Sequence, residues 1–400
     1  VSFPSVALGE IAEFIRGVTY KPTDLMDNFS EGSIVCMRTA NVQKLLDETD
    51  LLSIPRGLVR NEVKILREGD LLVSTANSWN LVGKCCWVPS LNYLATVGGF
   101  IAALRGDKTK VDLRYLYHWF NSPDTQVDAR NCGRQTTNIS NMDIGRCLAL
   151  MIPLPPLPEQ RRIAAILDKA DTLRAKRREA ITKLDQLLKS VFLEMFGDTT
   201  LATTSVAELA PSAGAIRTGP FGSQLLHSEF VDHGIAVLGI DNAVSNAFAW
   251  AKPRFITAEK YSQLSRYRVN PGDVLITIMG TCGRCAVVPD DIPTAINTKH
   301  LCCISIDRTR CEPEFLHSYF LLHPVARNYL ESRAKGAIMA GLNMGIIKEL
   351  PVALPSIEKQ RHFVSIKKSL GRQLEQALTQ ENRFDELFAG LQQHAFAGTL

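Results

Sequence analysis

Apolar and polar positions along this chain follow two regimes that alternate twice. Over residues 1–155 the apolar runs are short. They lie at Ile34 to Met37, Asp70 to Val73 and Thr96 to Leu104, separated by Gly, Asn and Pro. Such a pattern predicts strands bounded by turns. Asp112 to Phe120 predicts a helix whose aromatic face is Leu113, Leu116, Tyr117 and Phe120. Four prolines between Pro153 and Pro158 then force an extended stretch. From Glu159 to Phe196 there is no Gly or Pro, and Ile163, Ile166, Ala170, Leu173, Ala180, Leu184, Leu187 and Val191 recur at spacings of three and four. This is the seam of a coiled coil, on a helix about 55 Å long. Arg177 interrupts the seam, and Leu167, Ile181, Leu188 and Met195 widen its apolar stripe.

The cycle then repeats. Residues 199–355 predict a second mixed domain, with a strand at Asp273 to Thr277 and a helix from Pro313 to Tyr329. Glu358 to Phe396 predicts a second long helix, with Leu370, Leu374, Leu387 and Leu391 among its partner-facing residues. Val82-Gly83-Lys84-Cys85 returns as Cys282-Gly283-Arg284-Cys285, 200 positions later. Gly69-Asp70-Leu71-Leu72 returns as Gly272-Asp273-Val274-Leu275. The predicted class is α+β: two similar mixed α/β domains (1–155 and 199–355) joined by two long helices (156–198 and 356–400). A whole domain lies between the helices, which favours an antiparallel coiled coil.

Composition narrows the picture further. Four hundred residues at about 100–200 per domain allow two to four domains. The net charge of +4 permits nucleic-acid binding without announcing it. The start, Val1-Ser2-Phe3-Pro4, is not a secretory signal, and no apolar run reaches about 18 residues. A cytoplasmic protein with no membrane partner and reduced thiols is expected. Cys282-Gly283-Arg284-Cys285 followed by Cys302-Cys303 allows three readings: buried cysteines, a zinc site or a redox pair. The repeat favours the first, because Cys282 matches Val82. No nucleotide-binding, zinc-protease or nucleophile-elbow motif occurs, so neither a catalytic residue nor a metal site is expected. Gly219-Pro220-Phe221-Gly222-Ser223 reads as a surface turn or, less simply, a cofactor loop.

Three loops in each domain carry side chains suited to DNA. The first holds Arg38 and Asn41, with Asn242 in the second domain. The second holds Ser74, Thr75, Asn77, Asn80 and Lys84, matched by Thr277, Thr281 and Arg284. The third holds Arg130, Arg134, Gln135 and Asn138, matched by Lys335 and Asn343. Asn and Gln pair with adenine and Arg or Lys with guanine, while Ser and Thr suit phosphates. Solvated connecting loops have the same composition. The first long helix carries nine basic residues against four acidic ones between Gln160 and Ser190. Its basic face is either a solvated surface or a dock for an acidic protein or a DNA backbone.

Gly69-Asp70-Leu71-Leu72-Val73 to Val82-Gly83-Lys84 and Val88-Pro89, then Asn138-Ile139-Ser140, then Ile152-Pro153-Leu154-Pro155-Pro156-Leu157-Pro158-Glu159-Gln160-Arg161 resemble the specificity subunit of type I restriction–modification systems. The second copy lacks the double proline at Leu354-Pro355-Ser356. The resemblance spans essentially the whole chain. It implies that each mixed domain reads one half of a split target in double-stranded DNA. The helix pair would fix the spacer and dock two methyltransferase subunits, and restriction subunits would join that core. It also implies that S-adenosylmethionine, ATP and Mg2+ act only on the partner subunits. Other readings stay open: a subunit of a modification-only or orphan system, a coiled-coil scaffold without DNA binding, or an enzyme with a site near Cys282, Cys285, His300, Cys302 and Cys303.

Overall fold

The structure, a computed structural model, describes residues 3–135, 139–334 and 341–400, with the backbone but not the side chains of Arg134 and Gln135. The chain divides into two compact units, Val1–Glu179 with Thr379–Leu400, and Ala180–Leu378. Each combines a mixed α/β domain with part of both long helices.

In the first unit an antiparallel four-stranded sheet runs in the order Ala12–Arg16, Ile101–Gly106, Leu71–Ser74, Cys85–Trp87. The second unit repeats the order with Ile216–Thr218, Leu301–Ile304, Val274–Thr277 and Cys285–Val287. A second sheet in each unit, of three strands in the first and four in the second, contains one parallel pair, Val35 beside Ala95 and Ala236 beside Ala295. The run predicted over Thr96 to Leu104 is two strands, Ala95–Val97 and Ile101–Gly106. Gly98-Gly99 breaks it and lets the chain change sheets.

The repeated Gly-Asp is a structural turn. Gly69 and Gly272 have φ of 95° and 76°, which favours glycine. Asp70 and Asp273 are buried behind them. Asp70 accepts from the Arg67 N–H at 2.9 Å and pairs with Arg105 at 2.6 Å. Asp273 accepts from the Asn270 N–H at 2.9 Å and pairs with Arg217, which comes from a different strand, at 3.1 Å.

The helix predicted over Pro313 to Tyr329 is two helices, Pro313–Leu322 and Pro324–Arg333. Pro324 cannot donate an N–H to the preceding turn, and the His323 side chain caps the new start by accepting from Val325 N–H.

The long helices are Leu157–Phe196 and Ile357–Ala397. In the first unit Arg174 pairs with Asp385 at 2.6 Å and Arg178 with Glu381 at 2.6 Å, so one helix ascends as the other descends. In the second unit Phe192 and Phe363 rings lie 5.3 Å apart, and Asp185 and Leu374 line one cleft, which gives the same antiparallel sense. The helix pair is thus coiled-coil-like and antiparallel. Its seam differs from the predicted one. Inward positions are 163, 167, 170, 174, 177, 181, 184, 188, 191 and 195, two interleaved heptad lines. Ile163 is buried, and Ile166, Leu184 and Val191 are half-buried, as are Leu370, Leu374 and Leu391. Leu173, Leu187 and Leu387 are 58%, 46% and 68% exposed and lie outside the seam. Arg174 and Arg177 occupy inward positions through their apolar stems, with guanidiniums over Phe388 at 4.2 Å and Phe384 at 5.2 Å. A seam traced on apolar letters alone therefore steps sideways onto Leu173.

Candidate nucleic-acid interface

The backbone of the first unit gathers all three candidate loops. A small antiparallel sheet places Ala76–Asn77 beside Ser140–Met142, which pairs in turn with Gly133–Gln135. Asn77 lies opposite Ser140, and Arg134 opposite Asn141. Lys84 Nζ donates to Gln43 Oε1 at 2.6 Å, tying the first loop to the second.

The second unit gathers its loops differently. Met279 forms a β-bridge with Gly341, and Leu342 N–H donates to the Ile278 carbonyl at 2.8 Å. Asn246 Oδ1 accepts from Cys285 N–H at 3.3 Å, and the Asn246 carbonyl lies 2.9 Å from His317 Nε2. His300 sits in a basic neighbourhood. Burial, followed by Lys299 and Arg254, pushes its imidazole below the ordinary value. Arg254 is itself paired with Asp241.

Burial sorts the candidate side chains into two groups. Asn41, Ser74, Asn242 and Thr277 face inward. Asn41 accepts from Arg38 N–H at 2.7 Å and donates to the Asp47 carbonyl at 2.8 Å. Asn242 makes the matching bonds to Gly239 N–H and the Ala249 carbonyl, at 2.8 and 2.9 Å. Thr277 bonds the Thr281 carbonyl and accepts from Arg284 N–H at 3.0 Å. Ser74 Oγ accepts from Asn77 at 3.3 Å. As placed, these four shape the loops, with their polar atoms hydrogen-bonded inside the fold.

The outward group comprises Asn80, Thr281, Arg284 and Asn343, with Arg38, Thr75, Asn77, Lys84 and Arg130 half-buried. Arg38 pairs with Asp50 at 2.7 Å. Asn343 caps the helix Met344–Glu349 by accepting from Ile346 N–H at 2.9 Å. Asn138 and Lys335 lie outside the described residues. Sequence reasoning passed over Gln43, the partner of Lys84, and Trp79, 47% exposed within the second loop. The length difference between the two second loops was the available signal for Trp79.

The cysteines are separated by the sheet. Cys302 packs in the core that includes Phe315 and Phe363, and Cys303 in the core that includes Leu275 and Leu301. Burial pushes the Cys285 and Cys302 thiols up to about 12, which disfavours the thiolate a metal requires. Among the described residues no group of three His, Cys, Asp or Glu could hold a metal ion, and no helix is long and apolar enough to cross a membrane.

Where domain meets helix, the two units use opposite charges. Arg114 and His118, on the helix Leu113–Phe120, hold Asp168 of the first long helix, with His118 Nε2 2.7 Å from the carboxylate. Burial alone would raise the Asp168 carboxyl; His118 and Arg114 outweigh it and hold it at about 2. In the second unit Glu314 pairs with Lys367 of the second long helix. Lys367 also lies 3.0 Å from His317 Nδ1. Burial and the Lys367 ammonium keep His317 well below its ordinary value.

A family model described as the type I restriction modification DNA specificity domain matches residues 2–183 and 238–381. The chain is 25% identical over 385 residues to the specificity subunit of the type I restriction enzyme EcoKI from Escherichia coli (strain K12), covering 88% of this chain and 79% of that protein. It is 21% identical over 384 residues to the MjaVIII specificity subunit from Methanocaldococcus jannaschii, covering 92% and 86%. Among solved structures, a chain from a study of complex assembly and conformational transition of the type I R-M system is similar with a TM-score of 0.61 at 16% identity, covering 100% of this chain and 98% of that one. The type I restriction-modification S subunit from M. genitalium is similar with a TM-score of 0.54 at 14% identity, covering 99% and 96%.

Proposed function

Because this chain belongs to the family of type I restriction–modification specificity subunits, we propose that each of its mixed domains reads one half of a bipartite sequence in double-stranded DNA. The observation that carries this reading is a retained frame with altered loops. The sheet order, the Gly-Asp turn and the glycine with φ of 84° or 78° before Lys84 or Arg284 are the same in both units. The side chains offered from that frame differ. Two readers of different half-sites require that combination, with phosphate contacts giving affinity and base edges giving specificity.

In this proposal Arg130, Arg134, Gln135, Asn77, Asn80 and Lys84 face the first half-site, and Thr281, Arg284, Lys335 and Asn343 the second. Arg38, Thr75 and Asn138 support or extend the first surface. The antiparallel helix pair sets the spacing between half-sites. The outward leucines Leu173, Leu187 and Leu387 supply apolar area for two methyltransferase subunits, and restriction subunits join that assembly. Methyl transfer and cleavage, with S-adenosylmethionine, ATP and Mg2+, belong to those partners.

Affinity capture from the source cell with the full chain as bait tests this proposal. Two adenine methyltransferase copies per bait are expected, and a co-purifying translocating nuclease would extend the role from modification to restriction. A folded bait that captures no methyltransferase and shows no salt-dependent affinity for duplex DNA overturns it.

A further inference from the structure

In the second loop the repeated frame holds a segment added in the first unit. Its anchoring bonds are the same in both units. Ser74 N–H donates to the Lys84 carbonyl at 2.9 Å, as Thr277 does to Arg284 at 2.8 Å. Gly83 N–H donates to the Ser74 carbonyl at 2.9 Å, as Gly283 does to Thr277 at 2.9 Å. Met142 N–H donates to the Thr75 carbonyl at 2.8 Å, as Leu342 does to Ile278 at 2.8 Å. Between these shared anchors the first unit carries three more residues than the second. The longer loop bears Trp79.

The added tip is ordered by its own bonds. Asn77 Oδ1 accepts from Ser78 N–H at 2.8 Å, Ser78 Oγ donates to Asn80 Oδ1 at 2.8 Å, and Leu81 N–H donates to the Ser78 carbonyl at 2.9 Å. The indole is left close to half open to solvent. The Arg130 guanidinium stands over it, 5.9 Å from the ring centroid. A large aromatic ring on a polar tip held by its own hydrogen bonds and backed by a cation, with Lys84 at the base of the same loop, has the form of a stacking platform for a nucleobase. A flexible tip would lose that advantage to ordering entropy.

We propose that Trp79 inserts against a base step of the first half-site and locally unstacks the duplex, while the second unit, lacking the added residues, leaves its half-site stacked. This rests on the DNA-reading role proposed above and makes the distortion one-sided. Lys84 and Arg130 would hold the adjoining phosphates while the indole replaces a lost base–base contact.

The test uses the full chain purified with the partners it holds. Duplexes are selected from a randomised library, and 2-aminopurine is walked along the selected duplex. Apart from the adenines that the methyltransferases turn out of the stack in both halves, a several-fold rise in fluorescence is expected at a step in one half only. Trp79→Ala should remove the rise and weaken binding about tenfold, the loss carried by one base–aromatic stack. Trp79→Phe should keep most of both. Tight binding with a flat fluorescence profile overturns the proposal, as does a rise unchanged in Trp79→Ala. Failure of the wild-type complex to select any duplex overturns the DNA-reading role itself, a result distinct from either.

Discussion

Gln160 turns its side-chain oxygen onto the backbone N–H of Asp112 at 2.7 Å, and 200 positions later Gln360 does the same to Glu312 at 2.9 Å. Each amide also donates to two carbonyls, of Lys110 and Pro155 or of Arg310 and Pro355. Both glutamines are buried. Each therefore locks the start of a long helix to the start of the aromatic helix in its own domain. Gln160→Ala should leave a buried N–H and two carbonyls unpaired, destabilising the first unit by about 2–3 kcal/mol. Gln360→Ala should do the same to the second. Hydrogen exchange resolved by unit checks this; equal loss in both units from one substitution would contradict it.

The inward and outward leucines of the first long helix should separate stability from assembly. Leu188 packs against the core around Phe192 and Phe363. Leu188→Asp should cost about 2–4 kcal/mol in denaturant unfolding. Leu187→Asp, on a side chain 46% exposed, should change stability by no more than about 0.5 kcal/mol. Methyltransferase capture should nonetheless fall in Leu187→Asp if the outward leucines dock that partner.

Acid should weaken the two units in different windows. His317 is held below its ordinary value, so it stays neutral when folded and takes a proton more readily when unfolded. Its contribution is complete above about pH 6.5 and declines by about 1.4 kcal/mol per pH unit below it, until the folded group itself titrates. Asp168 is depressed from 3.8 to about 2. Its contribution is complete above about pH 4 and disappears as pH falls towards 2. Its side chain is 35% exposed, so screening reduces that contribution to about 1 kcal/mol. At pH 5 amide exchange should accelerate in the second unit first. His317→Gln should reduce the difference, with His300 and His323 of the same unit, also held low by burial, retaining part of it.

Arg284 is exposed beside the second loop. If it contacts phosphate, Arg284→Ala should weaken binding uniformly across sequences and lower the salt slope by about 1. Arg134→Ala should act through the first half-site alone if it reads a base, at about 1–3 kcal/mol. Competition titrations with duplexes altered in one half at a time distinguish the two behaviours.

Much of the architecture was legible because duplication prints the same signal twice. A glycine that must adopt positive φ, a buried aspartate behind it and a capping glutamine are each fixed by backbone geometry, so they recur in both copies, the Gly-Asp pair 203 positions apart and the glutamine 200. The helix seam was legible in direction but not in phase. Apolar letters do not reveal that Arg174 spends its stem inward, over Phe388, and its guanidinium on Asp385. The candidate site was legible at the level of loops. Asn41 and Asn242 have the residue type of base readers, yet their amides close their own turns. Residue type alone cannot separate a side chain that contacts a ligand from one that shapes a loop.

The inverted charges at the joints, Arg114 with Asp168 and Glu314 with Lys367, bear on how such a chain can be reshuffled. A domain transplanted onto the other helix half would set arginine against lysine, or glutamate against aspartate. Inheritance is therefore expected to move a domain together with its own stretch of helix, and recombination breakpoints to fall near Glu179–Ala180 and Leu378–Thr379, where the two compact units divide. New target sequences can then arise by exchange of whole cassettes, with each joint arriving already matched.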